Sequence, residues 1–227
     1  MKIKSIVLAG CALLTTLPVL GMADTTPGTD HEKFSYAVGY QVAESLKRQG
    51  AKIDLKSFYQ AITDVMTDAK LKLSMQDMQG AVEKFQKQQM AERGAKGEAA
   101  KKAGEKFLAE NKKKKGVITT ASGLQYQVIK KGKGKKPAAT DTVVANYQGA
   151  LIDGTVFDSS YKRGEPATFA LNKVIPGWQE ILPMMSVGSK YKVFIPSELG
   201  YGARGAGNTI GPNETLVFDI ELVDIKK

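Results

Sequence analysis

The stretch Val174-Ile-Pro-Gly-Trp-Gln-Glu-Ile-Leu182 contains the only tryptophan of this 227-residue chain, and the fold of the C-terminal half follows from it. Pro176 suits the first position of a helix, because its fixed φ and missing N–H are tolerated there. Trp178, Ile181 and the final leucine then recur at spacings of three and four on one helix face. The pattern predicts a short apolar helix that ends before Met184. A lone tryptophan usually fills a core, so a role as a pocket floor depends on its neighbours.

Short alternating runs rich in Val, Ile, Tyr and Phe surround this helix beyond residue 117, separated by Gly and Pro. Every second residue from Leu216 to Leu222 is apolar, which is the period of a strand with one buried face. Asp153-Gly154, between two runs, is a hairpin turn signal. We expect an α+β fold, a curved antiparallel sheet wrapped on one short helix. The predicted strands cover residues 124–129, 142–149, 168–171, 190–195 and 215–225.

Helical patterns precede this β-rich region. Apolar residues recur every fourth position from Phe34 to Leu46, which predicts a helix over residues 31–49 with Asp30 as its cap. Asp54 is the expected cap of a second helix, which ends near Lys70. Both helices carry one apolar stripe and need a partner surface for it.

A third helix is expected to begin after Ser74, which with Asp77 resembles a capping box. Its first turns carry a seam of Met75, Met78, Val82 and Phe85. At helical spacing such a seam is far more often a core or dimer contact than a cofactor box. Residues 86–111 carry few apolar side chains, so we predict a solvent-exposed stalk there. Three glycines are expected to weaken it and allow bending, namely Gly94, Gly97 and Gly104.

The chain is therefore expected to divide into functional segments. Residues 24–85 bury too little surface to be stable alone without a disulfide or metal, which predicts a helical dimerisation domain. Residues 86–116 are the exposed helical stalk and linker, closing on a run of four lysines. Residues 117–227 form the β-rich domain.

The first 23 residues have the pattern of a secretory signal. Lys2 and Lys4 precede an apolar run, and Gly21-Met22-Ala23 is a small-x-small cleavage site. Leu8-Ala-Gly-Cys11 also resembles a lipoprotein box, but cleavage there would leave almost no apolar segment before the cysteine. We expect a cleaved signal and an exported protein.

Cysteine and histidine usage excludes several classes of chemistry. Cys11 is the only cysteine and His31 the only histidine, so the mature chain would lack disulfides, thiolate chemistry, histidine triads and most transition-metal sites. The net charge is +10, and removal of the signal with its two lysines leaves 31 basic and 23 acidic residues, or +8. A basic surface can attract membranes or nucleic acid. Neither is the expected partner, because export excludes most nucleic acid and a solvated helix face explains the charge.

One motif points to a function that its context contradicts. Gly200-Tyr-Gly-Ala-Arg-Gly205 matches the G-x-G-x-x-G pattern of dinucleotide-binding proteins. A phosphate-binding turn must open a helix, whereas Gly207, Gly211 and Pro212 follow here. We expect a glycine-rich flap.

Aromatic and branched apolar residues lie at the ends of the predicted strands and loops. Each alone is more often a core residue, but as a group they suit an apolar ligand pocket with few polar groups. Asp158, Arg163 and Tyr201 would be those polar groups, although Asp158 could equally form a turn. The apolar candidates are Tyr147, Phe157, Phe169, Val174, Ile175, Trp178, Ile210 and Phe218.

Four segments, in this order, resemble the FKBP-type immunophilin peptidyl-prolyl isomerases: Gly154-Thr-Val-Phe157-Asp-Ser-Ser, Val174-Ile-Pro-Gly-Trp178, Tyr201-Gly202 and Leu216-Val-Phe218-Asp. The helical front half is similar to the macrophage infectivity potentiator type of that family, which Gram-negative bacteria export. The resemblance implies a V-shaped homodimer joined through residues 24 to about 85. It also implies a location in the periplasm, at the outer membrane or at the cell surface.

The resemblance further implies a cofactor-free isomerase that acts on proline-containing polypeptides and is inhibited by macrolides such as rapamycin. Ala167 and Ala206 stand where an aromatic residue and a flap histidine are usual, which leaves substrate preference and macrolide affinity open. A chaperone or binding module without catalysis is the alternative. The implied catalytic residues are Asp158, Tyr201, Phe157, Trp178 and Phe218, and the implied substrate-binding residues are Tyr147, Arg163, Phe169, Val174, Ile175 and Ile210.

Overall fold

The computed structural model describes residues 26–226. The predicted signal over residues 1–23, with Cys11, lies outside these described residues. The chain divides into one compact unit that ends at Ile53 and a second that begins at Asp54. Within residues 26–226, no helix combines the length and apolar character needed to span a bilayer.

The first unit is built on helix α1, Asp30–Arg48. Its cap is Thr29 and not Asp30, so the predicted cap is wrong by one residue. Thr29 Oγ1 accepts from the Glu32 N–H at 3.2 Å, and the Glu32 carboxylate accepts from the Thr29 N–H at 2.9 Å. This reciprocal pair satisfies two amide groups at the helix start, which Asp30 could not do from inside the helix. The apolar stripe is exposed in the single chain, with Phe34 at 69%.

The second unit begins with two further helices, whose caps are the predicted residues Asp54 and Ser74, although Asp77 does not complete a capping box with Ser74. Helix α2 spans Leu55–Met66, and Asp54 Oδ1 accepts from the Ser57 N–H at 2.9 Å. Helix α3 spans Met75–Asn111, and Ser74 Oγ accepts from the Asp77 N–H at 3.1 Å. Helix α3 runs unbroken through all its glycines.

A seven-stranded antiparallel sheet follows α3, which confirms the predicted α+β class. The strand order is β1-β2-β6-β7-β3-β4, and β5 also pairs with β3. The sequence patterns do not predict β1 or the short helix α4. The strands are β1 Val117–Thr119, β2 Gln125–Lys130, β3 Thr142–Leu151, β4 Val156–Ser159, β5 Ala167–Ala170, β6 Lys190–Ile195 and β7 Leu216–Lys226; the helices are α4 Ser160–Arg163 and α5 Pro176–Ile181.

The predicted helix and hairpin lie where the sequence places them. Helix α5 begins at Pro176 and buries Trp178 and Ile181. Strand β7 buries alternate residues from Leu216 to Leu222, which confirms the predicted period of two. The β3–β4 hairpin turns at Gly154, whose φ of 90° is a conformation that glycine adopts at no steric cost.

The prediction of a solvent-exposed stalk over residues 86–111 is wrong for one face of α3. Gly97, Gly104 and Asn111 are buried against the β-rich domain, at spacings of seven residues. Phe107 packs on Phe194 of β6 with ring centroids 5.8 Å apart. The helix continues without a break through Gly97 and Gly104. These glycines allow its backbone to approach the domain, and a search for apolar side chains overlooks such a contact surface.

Candidate active site

A cavity of about 300 Å³ opens where the N-terminal end of α5 meets the sheet. Its walls come from β3, β4, β5, β7, the segment before α5 and the loop after β6. Most of its surface is aromatic or branched apolar, as is typical of small ligand sites. We call this cavity the pocket; it is lined by Tyr147, Phe157, Asp158, Phe169, Lys173, Val174, Ile175, Trp178, Tyr201 and Phe218.

Trp178 lies at the centre of the aromatic side chains. Its ring centroid is 5.2 Å from those of Tyr147 and Phe169 and 5.3 Å from that of Phe218, each in an edge-to-face arrangement. Such geometry is the favoured one for aromatic pairs, and it holds each ring in a single orientation. The Trp178 side chain is 4% exposed. Its Nε1 is buried without a hydrogen-bond partner among residues 26–226, which is unusual for a residue that only fills a core.

Gly149 on β3 makes one wall of the pocket possible. A Cβ added there would lie 2.6 Å from ring atoms of both Phe157 and Phe218. No real side chain accepts that separation, so the two rings pack directly on the backbone of β3 and meet edge to face at 5.6 Å. The alternating pattern of β3 marks Gly149 only as a strand residue, which is why sequence reasoning missed it.

The polar side of the pocket is a linked group of three side chains. Tyr147 Oη donates a short hydrogen bond to Asp158 Oδ2, and Arg163 Nη1 donates to Asp158 Oδ1 at 2.5 Å. Arg163 Nη2 also donates to Tyr147 Oη at 2.8 Å. The Ser159 N–H adds a bond of 2.8 Å to Asp158 Oδ1. Both carboxylate oxygens therefore have donors, and Asp158 is held in one orientation.

Burial, hydrogen bonds and nearby charges shift the pKa values of the titratable groups at the pocket. Partial burial raises the pKa of Asp158, but hydrogen bonds from Tyr147 and Arg163 and the positive charge of Arg163 more than offset it, and the net shift is downward. Burial, followed by the bond to Asp158, raises the pKa of Tyr147. Burial, followed by the charge of Asp158, raises the pKa of Tyr201. At neutral pH the site therefore holds an ionised carboxylate and two neutral phenols.

The segment before α5 forms the rim of the pocket. The Ile175 carbonyl accepts from the Trp178 and Gln179 N–H groups at 2.9 and 3.1 Å, which starts the helix. The Gln179 side chain donates to the Val174 carbonyl at 2.7 Å. Among residues 26–226 the Ile175 N–H has no acceptor. One backbone donor is thus free at the mouth of the cavity.

The loop that carries Tyr201 lies on the other side of the mouth. Residues Gly202–Arg204 form one 3₁₀ turn and no longer helix follows, so the glycine pattern does not form a phosphate-binding turn. Tyr201 is 38% exposed and lines the pocket. The geometry is that of a small apolar pocket with a fixed negative charge and two hydrogen-bond donors at its mouth, the Ile175 N–H and the Tyr201 hydroxyl.

Comparison with known proteins identifies the family of the chain. Residues 133–223 match the model of the FKBP-type peptidyl-prolyl cis-trans isomerases, and residues 31–128 match that of the domain amino terminal to them. The chain is 43% identical over 231 residues to "Outer membrane protein MIP" of Legionella longbeachae, covering 100% of this chain and 98% of that one. The chain belongs to the FKBP-type peptidyl-prolyl cis-trans isomerase family. It is similar in the same way to "Peptidyl-prolyl cis-trans isomerase Mip" of Coxiella burnetii, with 38% identity over 229 residues and 99% of each chain covered.

A solved structure gives the same picture of the fold. The crystal structure of FkpA from Escherichia coli matches this FKBP-type chain with a TM-score of 0.63 and 40% identity. The match covers 88% of this chain and 99% of that one. The resemblance inferred from the four sequence segments is therefore confirmed at the level of family, fold and isomerase activity.

Most of the site residues expected of the isomerase lie together in the pocket, with two exceptions and one addition. Arg163 lies behind the wall, where it contacts Asp158 and Tyr147. Ile210 does not line the pocket; it is buried and pairs with Ala206 in a narrow β-bridge within the loop over residues 201–215, which we call the flap. Lys173, the exposed last residue of the 3₁₀ helix Leu171–Lys173, also lines the pocket, and the sequence has no signal for this because most lysines face solvent.

Proposed function

We propose that the pocket is the active site of this isomerase and that it binds the proline ring of an X-Pro peptide. The observation that carries this proposal is the edge-to-face group of Tyr147, Phe169 and Phe218 around Trp178, closed on one side by the ion-paired Asp158. A volume of about 300 Å³ accommodates a proline ring and part of each neighbouring residue. We assign the pocket residues the catalytic and substrate-binding roles that the family resemblance implies, with Trp178 as the floor of the pocket.

Catalysis by such a pocket requires no acid, base or nucleophile. Rotation about the peptide bond faces a barrier of about 18–20 kcal/mol that arises from amide resonance. The twisted transition state loses resonance and its charge separation, so a dry aromatic pocket stabilises it relative to the more polar planar amide. Stronger binding of the transition state than of the ground state is what accelerates the reaction. Exclusion of water by the aromatic walls contributes in the same direction.

The polar groups are assigned to orientation. The free Ile175 N–H is placed to donate to a substrate carbonyl at the rim, and the Tyr201 hydroxyl to donate from the flap. Asp158 is not a proton acceptor in this scheme, because both its oxygens are occupied and its pKa is lowered. It provides a constant negative charge at one wall.

A prolyl-exchange assay on the chain from residue 24 to 227 tests the proposal. We expect acceleration of exchange in an X-Pro tetrapeptide, and a loss of at least about tenfold for Asp158→Leu and a smaller loss for Tyr201→Phe. Tyr161→Phe is the matched control, since Tyr161 is exposed and lies outside the pocket. An Asp158→Leu variant that stays folded and keeps full turnover would overturn the assignment of this pocket.

We propose in addition that residues 24 to about 85 join two copies and that the dimer holds unfolded clients. Support comes from apolar side chains exposed in the single chain, a pattern that marks an interaction surface. They include Phe34 and Tyr36 of α1, and in the second unit Leu55, Met66 and Met75. A sedimentation measurement that gives a monomer at micromolar concentration would exclude it. Equal activity of a monomeric variant and the dimer on a refolding protein would leave isomerisation as the only function.

Export to the periplasm or outer membrane is proposed on the signal pattern and on the name of the Legionella relative, an outer membrane protein. Inhibition by macrolides such as rapamycin is proposed on the family membership. Ala167 lies at the start of β5 and Ala206 in the β-bridge of the flap. Small side chains at both positions leave less contact area for a large ligand, so we expect weaker binding than in relatives with aromatic or histidine side chains there.

A further inference from the structure

The flap, residues 201–215, contacts the pocket at one end and helix α3 at the other. Tyr201 at its start lines the pocket. Its last residues lie against the buried face of α3, where a Cβ added to Gly104 would lie 2.2 Å from Thr215 Oγ1. One loop therefore connects a helix outside the sheet to the proposed substrate site.

Three positions on one face of α3 make the contact. Arg93 Nη2 donates a short hydrogen bond to the Arg204 carbonyl. Four residues further on, the Gly97 carbonyl accepts from Asn213 Nδ2 at 3.3 Å. Gly104 follows seven residues later against Thr215. Spacings of four and seven place these positions in one row along the helix.

A short relay carries the contact to Tyr201. Asn213, which bonds α3 through its side chain, donates its own N–H to the Gly202 carbonyl at 2.8 Å. Its φ of 57° is left-handed, and this conformation lets the side chain and the amide face different neighbours. Gly202 is the residue after Tyr201, and Arg204 closes the same 3₁₀ turn. Helix α3 thus holds both ends of the turn that presents Tyr201 to the pocket.

The rest of the flap is closed on itself by backbone hydrogen bonds. Ala206 and Ile210 exchange two backbone hydrogen bonds of 2.9 and 3.1 Å. Gly205 has a φ of 63°, and an added Cβ there would lie 2.2 Å from the Ile210 carbonyl oxygen. A loop that is closed on itself moves as a body when its anchors move.

We propose that α3 is a positioning element of the active site, which sets the place of Tyr201 through Gly97, Gly104 and the Asn213 relay. The proposal rests on the proposed function, in which Tyr201 contacts the substrate. It extends the catalytic unit from the β-rich domain to three residues on one face of α3, namely Arg93, Gly97 and Gly104. A displacement of the helix at these positions changes the affinity for substrate without touching the pocket itself.

Matched glycine substitutions in the full chain test the proposal. Gly104→Ala creates the clash with Thr215, whereas Gly94→Ala meets nothing within 4 Å on the same helix. We expect Gly104→Ala to lower kcat/KM for an X-Pro tetrapeptide by about tenfold, mainly through KM, since misplacement by about 1 Å has effects of this size or larger. Gly94→Ala should keep the wild-type kinetic constants.

Two further variants separate positioning from general damage. Thr215→Ala removes the oxygen that the new methyl group would strike, so the double variant Gly104→Ala/Thr215→Ala should recover most of the lost kcat/KM. Asn213→Gly keeps the left-handed backbone, which glycine adopts freely, but removes the amide that bonds Gly97. It should raise KM even if Gly104→Ala fails to fold.

The dependence on Tyr201 provides the decisive readout. In a Tyr201→Phe background the effect of Asn213→Gly on KM should shrink, because coupled positions are not additive. Variants Gly104→Ala and Asn213→Gly that fold, lose stability and keep wild-type kinetic constants would overturn the proposal. If Tyr201→Phe itself has no effect on turnover, the proposed role of Tyr201 fails first, and this result is distinguishable from a loss of the α3 contact alone.

Discussion

In the first half of helix α3 large apolar side chains are exposed, whereas in the second half small residues are buried. The first half carries large apolar side chains, yet Met75 is 73% and Phe85 41% exposed in the single chain. The second half carries mostly charged and small residues, yet Gly97 and Gly104 are buried. Apolar side chains without cover indicate a partner surface from outside the chain. Glycines under cover indicate a contact that the chain makes with itself.

The largest expected effect concerns the exposed apolar side chains in the first half of α3. Val82→Asp combined with Phe85→Asp should convert a dimer into a monomer, because each carboxylate would lose its water in an apolar interface. We expect the dimer Kd to rise by about 100-fold or more, measured by analytical ultracentrifugation. Lys84→Asp changes the charge at an exposed position on another face of the helix and should leave the dimer intact. A double variant that remains dimeric would show that this face is not the contact.

The next prediction tests the second half of the comparison, the buried glycine that makes a contact within the chain, at a position on strand β3. Gly149→Ala places a methyl group where Phe157 and Phe218 now pack on the backbone, the same use of glycine as in α3 but inside the pocket. Overpacking of this kind costs about 1–3 kcal/mol of unfolding free energy. We expect prolyl-exchange activity to fall by at least about tenfold, since two walls move together. Urea unfolding and a tetrapeptide assay on the same samples check both, and unchanged activity would contradict the packing role.

A smaller effect distinguishes two sites along α3. The same substitution, glycine to alanine, should lower the unfolding free energy at one site and raise it at the other. Gly104→Ala should lower the unfolding free energy by about 1–3 kcal/mol through its contact with Thr215. Gly94→Ala should raise it by up to about 1 kcal/mol, since alanine is the better helix former and nothing lies near. Both are read from urea titrations. Equal stabilisation at both positions would mean that α3 does not pack on the domain in solution.

The smallest expected effect is the pH dependence of stability that arises from Asp158 in the pocket. The pKa of Asp158 is lowered in the folded state, so its ionised form favours folding. This stabilisation is present above the unfolded pKa of about 3.9 and is lost as pH falls through the lower folded value. Between pH 5 and 8, kcat/KM should therefore not vary through this group. Asp158→Asn should reduce the fall in unfolding free energy below about pH 4, measured by urea unfolding at a series of pH values. An unchanged fall would contradict the lowered pKa of Asp158.

Much of the fold was predictable because it depends on local patterns. The caps Asp54 and Ser74, the helix at Pro176, the turn at Gly154 and the period of two in β7 are each signals within a few residues. The three-residue strand β1 gave no signal, because a run that short has no measurable period. The cap of α1 was misplaced because Thr29 and Asp30 are both good caps, and only the bond to Glu32 distinguishes them.

The site was predictable in composition and not in arrangement. The sequence placed aromatic residues at strand ends, and the family resemblance assigned them to one pocket. It could not place Lys173 on the wall or remove Ile210 from it, because both depend on how loops fold back on the sheet. The buried row of α3 had a trace in the sequence, since Gly97, Gly104 and Asn111 are seven residues apart. Small residues carry no hydrophobic signal, so that spacing is informative only once a surface lies opposite.

The sequence by itself determined which segments are helices and strands, which face of each strand is apolar, and which family's residues are present. Those properties follow from φ restrictions, caps and side-chain period, all of which act over fewer than about ten residues. The tertiary structure alone decided that Gly149 supports two aromatic walls, that each oxygen of Asp158 has a donor, and that α3 holds the flap. The reason is physical. Close packing and hydrogen-bond geometry depend on distances between residues far apart in the chain, and no local pattern encodes them.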